Sequence, residues 1–174
     1  PPPPKEHHWS ATLGMHVSAG FAPKASPGIG ATLAYAKPPV RLVARGAVFA
    51  PTEDTLENNH AVGAEFSLGG ISLAACAGDD LGAAEAWLCG GGRLYRLSAH
   101  GFGTDANFTE DTYVGAPIVG FDLGLHLTTN VMLLTGIEGG YAPASSRFVI
   151  QNAGTVHETE HVFGEARLEI GVRF

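Results

Sequence analysis

The chain has no run approaching the roughly 18 consecutive apolar residues that a membrane-spanning helix needs, although 45% of its 174 residues are hydrophobic. Charge is scarce as well: Asp, Glu, Lys and Arg make up only 16%, with a formal sum of −7. That acidic balance argues against a nucleic-acid partner, which calls for a basic face. Long helices are disfavoured by 24 glycines and 11 prolines, which suit many short strands and turns. At this length the chain is one domain. It opens PPPPKEHH, without a start methionine or targeting segment. The expectation is a processed signal peptide or a larger upstream region, with residues 1–8 a stiff proline-rich periplasmic lead and 9–174 the folded domain.

What is present is alternation. In the last twelve residues, FGEARLEIGVRF, one face carries Gly164, Ala166, Leu168, Ile170, Val172 and Phe174. The other carries Glu165, Arg167, Glu169, Gly171 and Arg173. A period of two is a β-strand. From Trp9 the pattern repeats: Ala11, Leu13, Met15, Val17, Ala19 and Phe21 oppose Ser10, Thr12, Gly14, His16, Ser18 and Gly20, with Trp9 and Phe21 as terminal aromatics. A second strand sets Ile29, Ala31, Leu33 and Tyr35 on its apolar face and ends at Lys37-Pro38-Pro39. A third sets Val40, Leu42, Ala44, Gly46 and Val48 against Arg41, Val43, Arg45, Ala47 and Phe49. PTEDTLENNH then reads as a solvated loop. The fourth strand is expected to turn Val62, Ala64, Phe66 and Leu68 outward and Glu65 inward, with a bulge near Gly69-Gly70. In the fifth, Leu88 and Leu94 face out and Arg93 and Tyr95 face in; Arg96, on the apolar face, is placed at the outer rim. After the polar stretch GFGTDANFTEDT, a sixth strand directs Val119, Phe121, Leu123, Leu125 and Leu127 out and Asp122 and His126 in. The seventh directs Val131, Leu133, Ile137 and Tyr141 out and Met132, Leu134 and Glu138 in. RFVIQ, within residues 143–161, reads as a hairpin extension before the eighth strand.

Strands of ten to twelve residues match a tilted bilayer crossing. Polar faces rich in glycine, serine and alanine fill a tight lumen better than they clothe a soluble exterior. The links after strands two, four and six are short, and those after three, five and seven longer, an asymmetry of outer-membrane barrels. With its terminal aromatic strand, the chain resembles the small eight-stranded bacterial outer-membrane β-barrels, the family of the OmpA transmembrane domain. The resemblance implies an eight-stranded antiparallel up-and-down transmembrane β-barrel with a polar, side-chain-filled interior and both termini periplasmic. It also implies lipid and lipopolysaccharide surroundings, and reading of Phe174 by the barrel-assembly machinery. A larger envelope complex or upstream domain is compatible with it.

The inward charges expected are Arg41, Arg45, Arg93, Arg167 and Arg173 against Glu65, Asp122, Glu138, Glu165 and Glu169. Five of each sign, in a bore barely wide enough for side chains, must pair with one another. That favours a structural salt-bridge plug over a narrow channel for small solutes. Cys76 and Cys89 flank a short hairpin and are expected to form a disulfide in an oxidising compartment. Histidines near carboxylates (His60 with Asp54 and Glu57, or His157 and His161 with Glu158 and Glu160) tempt a catalytic or metal reading. No serine stands at a spacing that completes a catalytic set, and no cofactor is expected. Asn107-Phe108-Thr109 is a chance triplet, Gly90-Gly91-Gly92 lacks the features of a phosphate loop, and Met15 and Met132 read as packing residues. The function expected is non-enzymatic: a structural or anchoring domain with acidic external loops for envelope or surface contacts. A soluble lipocalin-like ligand carrier is the competing class.

Overall fold

A strand crossing an apolar layer cannot leave its N–H and C=O groups unpaired, so a sheet there has to close on itself. The computed structural model describes residues 7–56, 59–103, 109–143, 147–150 and 154–174. Among them run β1 (His8–Ala19), β2 (Ser26–Lys37), β3 (Val40–Phe49), β4 (Thr52–Leu56), β5 (Asn59–Asp80), β6 (Ala84–Phe102), β7 (Thr109–His126), β8 (Val131–Tyr141), β9 (Arg147–Ile150), β10 (Gly154–Glu158) and β11 (Val162–Arg173). Eight of these form a closed antiparallel ring in the order β1-β2-β3-β5-β6-β7-β8-β11, with β11 returning to β1. At the seam Trp9 and Phe174 exchange backbone hydrogen bonds of 2.8 and 2.9 Å. The short links β2–β3, β5–β6 and β7–β8 and both described chain ends lie at one rim, the turn end. The longer links lie at the other, the loop end.

Alternation sorts the side chains. Leu13, Ile71, Leu73, Val119, Ile137 and Ile170 stand on the outside, each more than half exposed. Arg41, Arg45, Arg93, Arg167, Glu165 and Glu169 are buried inside. The expected inversion, with the apolar face outward and the ionic face inward, therefore holds around the ring. Trp9 and Tyr35, 5.1 Å apart, mark the turn-end edge of the apolar belt, and Tyr113 and Tyr141 lie at its loop-end edge.

The structure corrects the reading at several places, mostly toward the loop end. Val62, Ala64, Phe66 and Leu68 point into the barrel, and Glu65 lies on the outward face. No bulge intervenes at Gly69-Gly70: β5 runs against β6 in unbroken register from Gly63↔Phe102 to Asp80↔Glu85. The strand keeps its phase while the apolar residues change sides. Below Gly69, Ile71 and Leu73 face out; above it, Phe66 and Leu68 face in. Where the strand leaves the apolar belt and enters water, an inward apolar face becomes favourable, as in a soluble barrel. Phe21 is likewise buried. Gly20 adopts φ 107°, a left-handed turn open to glycine, and aims the next side chain into the lumen.

The acidic stretch after β3 is also more ordered than a solvated loop, since Thr52–Phe66 and Glu53–Glu65 are cross-strand partners in the β4–β5 ribbon. β6 continues to Phe102 and β7 begins at Thr109, so the two ends of the polar stretch GFGTDANFTEDT are strand. β9 and β10 pair as the hairpin anticipated at RFVIQ. Residues 1–6 and 104–108, with Asn107-Phe108, lie outside the described residues.

Cys76 and Cys89 face each other across β5 and β6 and are joined by a disulfide, 13 residues apart in sequence. Both are buried in the lumen. Closing a loop of this length stabilises by about 3 kcal/mol in the chain-entropy model. Replacing both cysteines with serine should lower unfolding free energy by about 2–3 kcal/mol. Urea titration in detergent micelles, oxidised against reduced, provides the measurement.

Candidate functional site

Among the described residues, buried ionisable side chains concentrate in the lumen. Fully buried there are five carboxylates (Glu85, Asp122, Glu138, Glu165 and Glu169) and four guanidinium groups (Arg41, Arg45, Arg93 and Arg167). Each sits on the inward parity of its strand, and the register stacks them at adjoining heights.

They form one continuous chain of contacts. Arg41 lies 3.4 Å from Glu85 and 3.8 Å from Asp122. Asp122 also accepts hydrogen bonds from Arg45 at 2.6 Å and from Arg167. Glu138 lies 3.2 Å from Arg45, 2.9 Å from Arg93 and 3.9 Å from Arg167. Arg93 reaches on to Glu165 at 2.7 Å. The planar guanidinium fork allows this branching, since one arginine can serve two carboxylates. Arg41 also lies over the Trp87 ring and Arg93 over the Tyr95 ring, at 5.8 and 4.8 Å.

His16 completes the chain. Its two ring nitrogens lie 2.8 Å from Glu165 and 2.8 Å from Glu169. Glu169 further accepts from the hydroxyls of Thr12 and Thr32. A neutral imidazole has one N–H, so both contacts become hydrogen bonds only with one more proton, on the ring or on a carboxyl. The same proton balances five carboxylates against four guanidinium groups.

An apolar tier closes the column toward the loop end, and a second apolar cluster is set among its turn-end members, with Arg41 and Glu85 beyond it. Toward the loop end Phe21, Tyr95 and Phe163 pack at centroid distances of 4.5, 4.7 and 5.2 Å, with Phe49, Phe66 and Leu97 in the same cluster. Toward the turn end Trp87, Val43 and the disulfide form a second cluster.

Of the charges expected inside, Arg41, Arg45, Arg93, Asp122, Glu138, Glu165, Arg167 and Glu169 are brought together. Arg173 sits at the turn-end rim, paired with Asp80 at 2.9 Å and about a quarter exposed, with His126 beside it. Glu65 is outside the lumen. Two members lie outside the expected set: Glu85, which shares its parity with Arg93 and Tyr95 along one strand, and His16, which alternation puts on the inward face without marking it as a charge. His161 donates to the Ala142 carbonyl at 2.9 Å and stacks on Tyr141. Glu57 and the side chains of His60, His157 and Glu158 lie outside the described residues. Among the described residues, no group of three or more His, Cys, Asp or Glu is arranged for a metal ion.

Removing one partner of a buried ion pair leaves an uncompensated charge, at a cost of about 3–5 kcal/mol. Asp122→Asn should therefore destabilise the barrel by that amount, and Glu65→Gln by less than about 0.5 kcal/mol. Both are read by urea unfolding in micelles.

No protein-family model matches the chain, and no curated relative matches its sequence. Solved structures do share the fold. Ail, the attachment invasion locus protein of Yersinia pestis, in complex with the heparin analogue sucrose octasulfate, superposes with a TM-score of 0.63 at 13% identity, covering 97% of this chain and 99% of that one. Neisserial surface protein A gives 0.63 at 15% identity, covering 97% of each. The N-terminal β-barrel domain of Pseudomonas aeruginosa OprF gives 0.56 at 14% identity, covering 95% of this chain and 97% of that one. The fold is that of the small outer-membrane β-barrels.

Proposed function

We propose that this chain, a barrel of the outer-membrane type, is a non-conducting anchor in the bacterial outer membrane that presents an extended, acidic loop end for contacts with envelope or surface components. The observation that carries the reading is the sealed lumen. Four arginines, five carboxylates and His16 are linked in one buried network in mid-barrel, with an aromatic and aliphatic tier packed on its loop-end side and a second apolar cluster set among its turn-end members. A water-filled path would have to break those pairs, each of which is buried and costly to separate. A solute channel is therefore disfavoured.

The loop end has the opposite character. β5, β6 and β7 continue past the apolar belt, with β4 paired to the upper part of β5, and β9 and β10 form a separate ribbon. This rim carries Glu53, Asp54, Glu65, Glu110, Asp111 and Glu160. An acidic rim is a poor receptor for a sulfated saccharide of the sort bound by Ail, and suits cationic or cation-bridged partners. The long links and this rim face outward, and both termini face the periplasm. Phe174, exposed at the end of β11, remains available as an assembly signal.

Planar-bilayer recordings decide between anchor and channel. The intact chain should show no steady conductance, and a stable open level would sink the anchor reading. The double variant Asp122→Ala with Arg45→Ala, if it still folds, should admit ions in brief openings.

A further inference from the structure

The ring closes where its first strand meets its last, and that seam carries an electrostatic problem of its own. β11 turns Glu165, Arg167 and Glu169 into the bore beside β1. Arg167 reaches away to Asp122 and Glu138, so toward β1 the last strand offers two carboxylates. β1 has no Lys or Arg anywhere along His8–Ala19, and β2 adds only Lys37, exposed at its turn-end tip. Apart from His8 at the turn end, the one group of β1 able to carry charge is His16. It is paired in register with Arg167 and so stands midway between the two carboxylates.

The surroundings of His16 are dry. The imidazole and both carboxylates have no exposed side-chain surface. Glu165 is also held by Arg93 of β6 at 2.7 Å, and Arg93 in turn lies over Tyr95 and 2.9 Å from Glu138 of β8. Arg45 of β3 and Asp122 of β7 are already paired with each other at 2.6 Å, and β5 contributes the uncharged Ser72. Glu169 has no guanidinium partner among the described residues; besides His16 it accepts from the hydroxyls of Thr12 and Thr32. With the extra proton present, both 2.8 Å contacts across the seam are hydrogen bonds. Without it, a ring lone pair faces a carboxylate oxygen, and Glu169 is the group left without a counter-charge. The proton belongs to the cluster as a unit.

We propose that the β1–β11 seam is locked by one exchangeable proton held among His16, Glu165 and Glu169, so that closure of the barrel is coupled to pH. The seam is zipped while the proton is bound and loosens when alkaline conditions remove it. This joint is the one where such a lock matters. Every other neighbouring pair in the ring is tied by a stretch of chain running directly between its strands, whereas β1 and β11 are held by hydrogen bonds and side-chain contacts alone. In mild acid the opened chain carries the proton too, and the seam has its full strength. As pH rises, the opened chain releases the proton while the closed barrel retains it. Each further unit then favours the opened seam, until the cluster gives up its proton as well. The lock requires only the closed ring, whatever the barrel does in the membrane.

Amide hydrogen exchange of the full chain in micelles, followed by NMR from neutral to alkaline pH, tests the lock. Protection factors along β1 and β11 should fall about tenfold per pH unit, the linkage slope of a single proton, while those between β6 and β7 hold. Glu169→Gln removes the carboxylate that needs the proton, and its seam protection should not vary with pH. His16→Gln should show a weak seam at every pH; wild type against Glu169→Gln decides the matter even where His16→Gln fails to fold. Three results overturn the proposal: wild-type seam protection that does not change with pH, a fall spread evenly over all eight strands, or a Glu169→Gln seam that weakens as the wild type does.

Discussion

The constraint on which the rest depends is that no polar group can be left unpaired in the middle of an apolar layer. For the backbone this means a closed ring of strands, and the hydrogen bonds between Trp9 and Phe174 at the seam are its last closure. For the side chains it means mutual neutralisation. The bore of an eight-stranded barrel has space for side chains and little more. Any ionised group in it must find its partner among the other seven strands. Asp122 on β7 meets arginines from β3 and β11, and Glu138 on β8 meets arginines from β3, β6 and β11. The network thus ties together strands that are not hydrogen-bonded neighbours. A salt bridge of this kind adds little to stability compared with an apolar core. What it supplies is a barrel that is polar inside, so the apolar residues are free to face lipid.

That logic stops at the edge of the belt. Above Gly69 in β5 the strand enters water, and the sign of the hydrophobic effect on the two faces reverses. Phe66 and Leu68, Val114 and Ala116 then turn inward and build the aromatic and aliphatic tier with Phe21, Phe49 and Phe163. The molecule is therefore two barrels in series on one set of strands: an inverted one in the membrane and a conventional one above it. The seal arises from both, by ion pairing below and by packing above.

This division explains what could and could not be read from the residues alone. Strands lying wholly within the belt, such as β8 and β11, carry one consistent apolar face, and their orientation follows from alternation once the membrane is assumed. β5 carries two opposed patterns in a single phase. Assuming that apolar always means outward misplaces Val62, Ala64, Phe66, Leu68 and Glu65 together, and demands a bulge at Gly69-Gly70 that is not there. Alternation says which residues share a face; it does not say where the solvent changes. Glu85 was hidden differently. It lies between two cysteines in a stretch that reads as a turn, and only counting back by twos from Arg93 through Cys89 and Trp87 brings it inside. His16 was visible on the inward face, but its part in the charge balance appears only when Glu165 and Glu169 are seen on either side of it. Arg96 went the other way. Its outward position and rim height follow from the cost of a charge in hydrocarbon, and its partner Asp111 from the register of β6 against β7.

The odd count of buried charges has a structural consequence of its own. Four guanidinium groups cannot neutralise five carboxylates, and an arginine carries its charge at any ordinary pH. At Gly30 the ring of His16 already occupies the space that a Cβ would need. Histidine is the smaller solution. Its flat ring fits beside Gly30, bridges two carboxylates through opposite nitrogens, and needs one shared proton to do so. The glycine at position 30 and the histidine at position 16 are therefore one device: the missing side chain on β2 is the space into which the ring on β1 is folded.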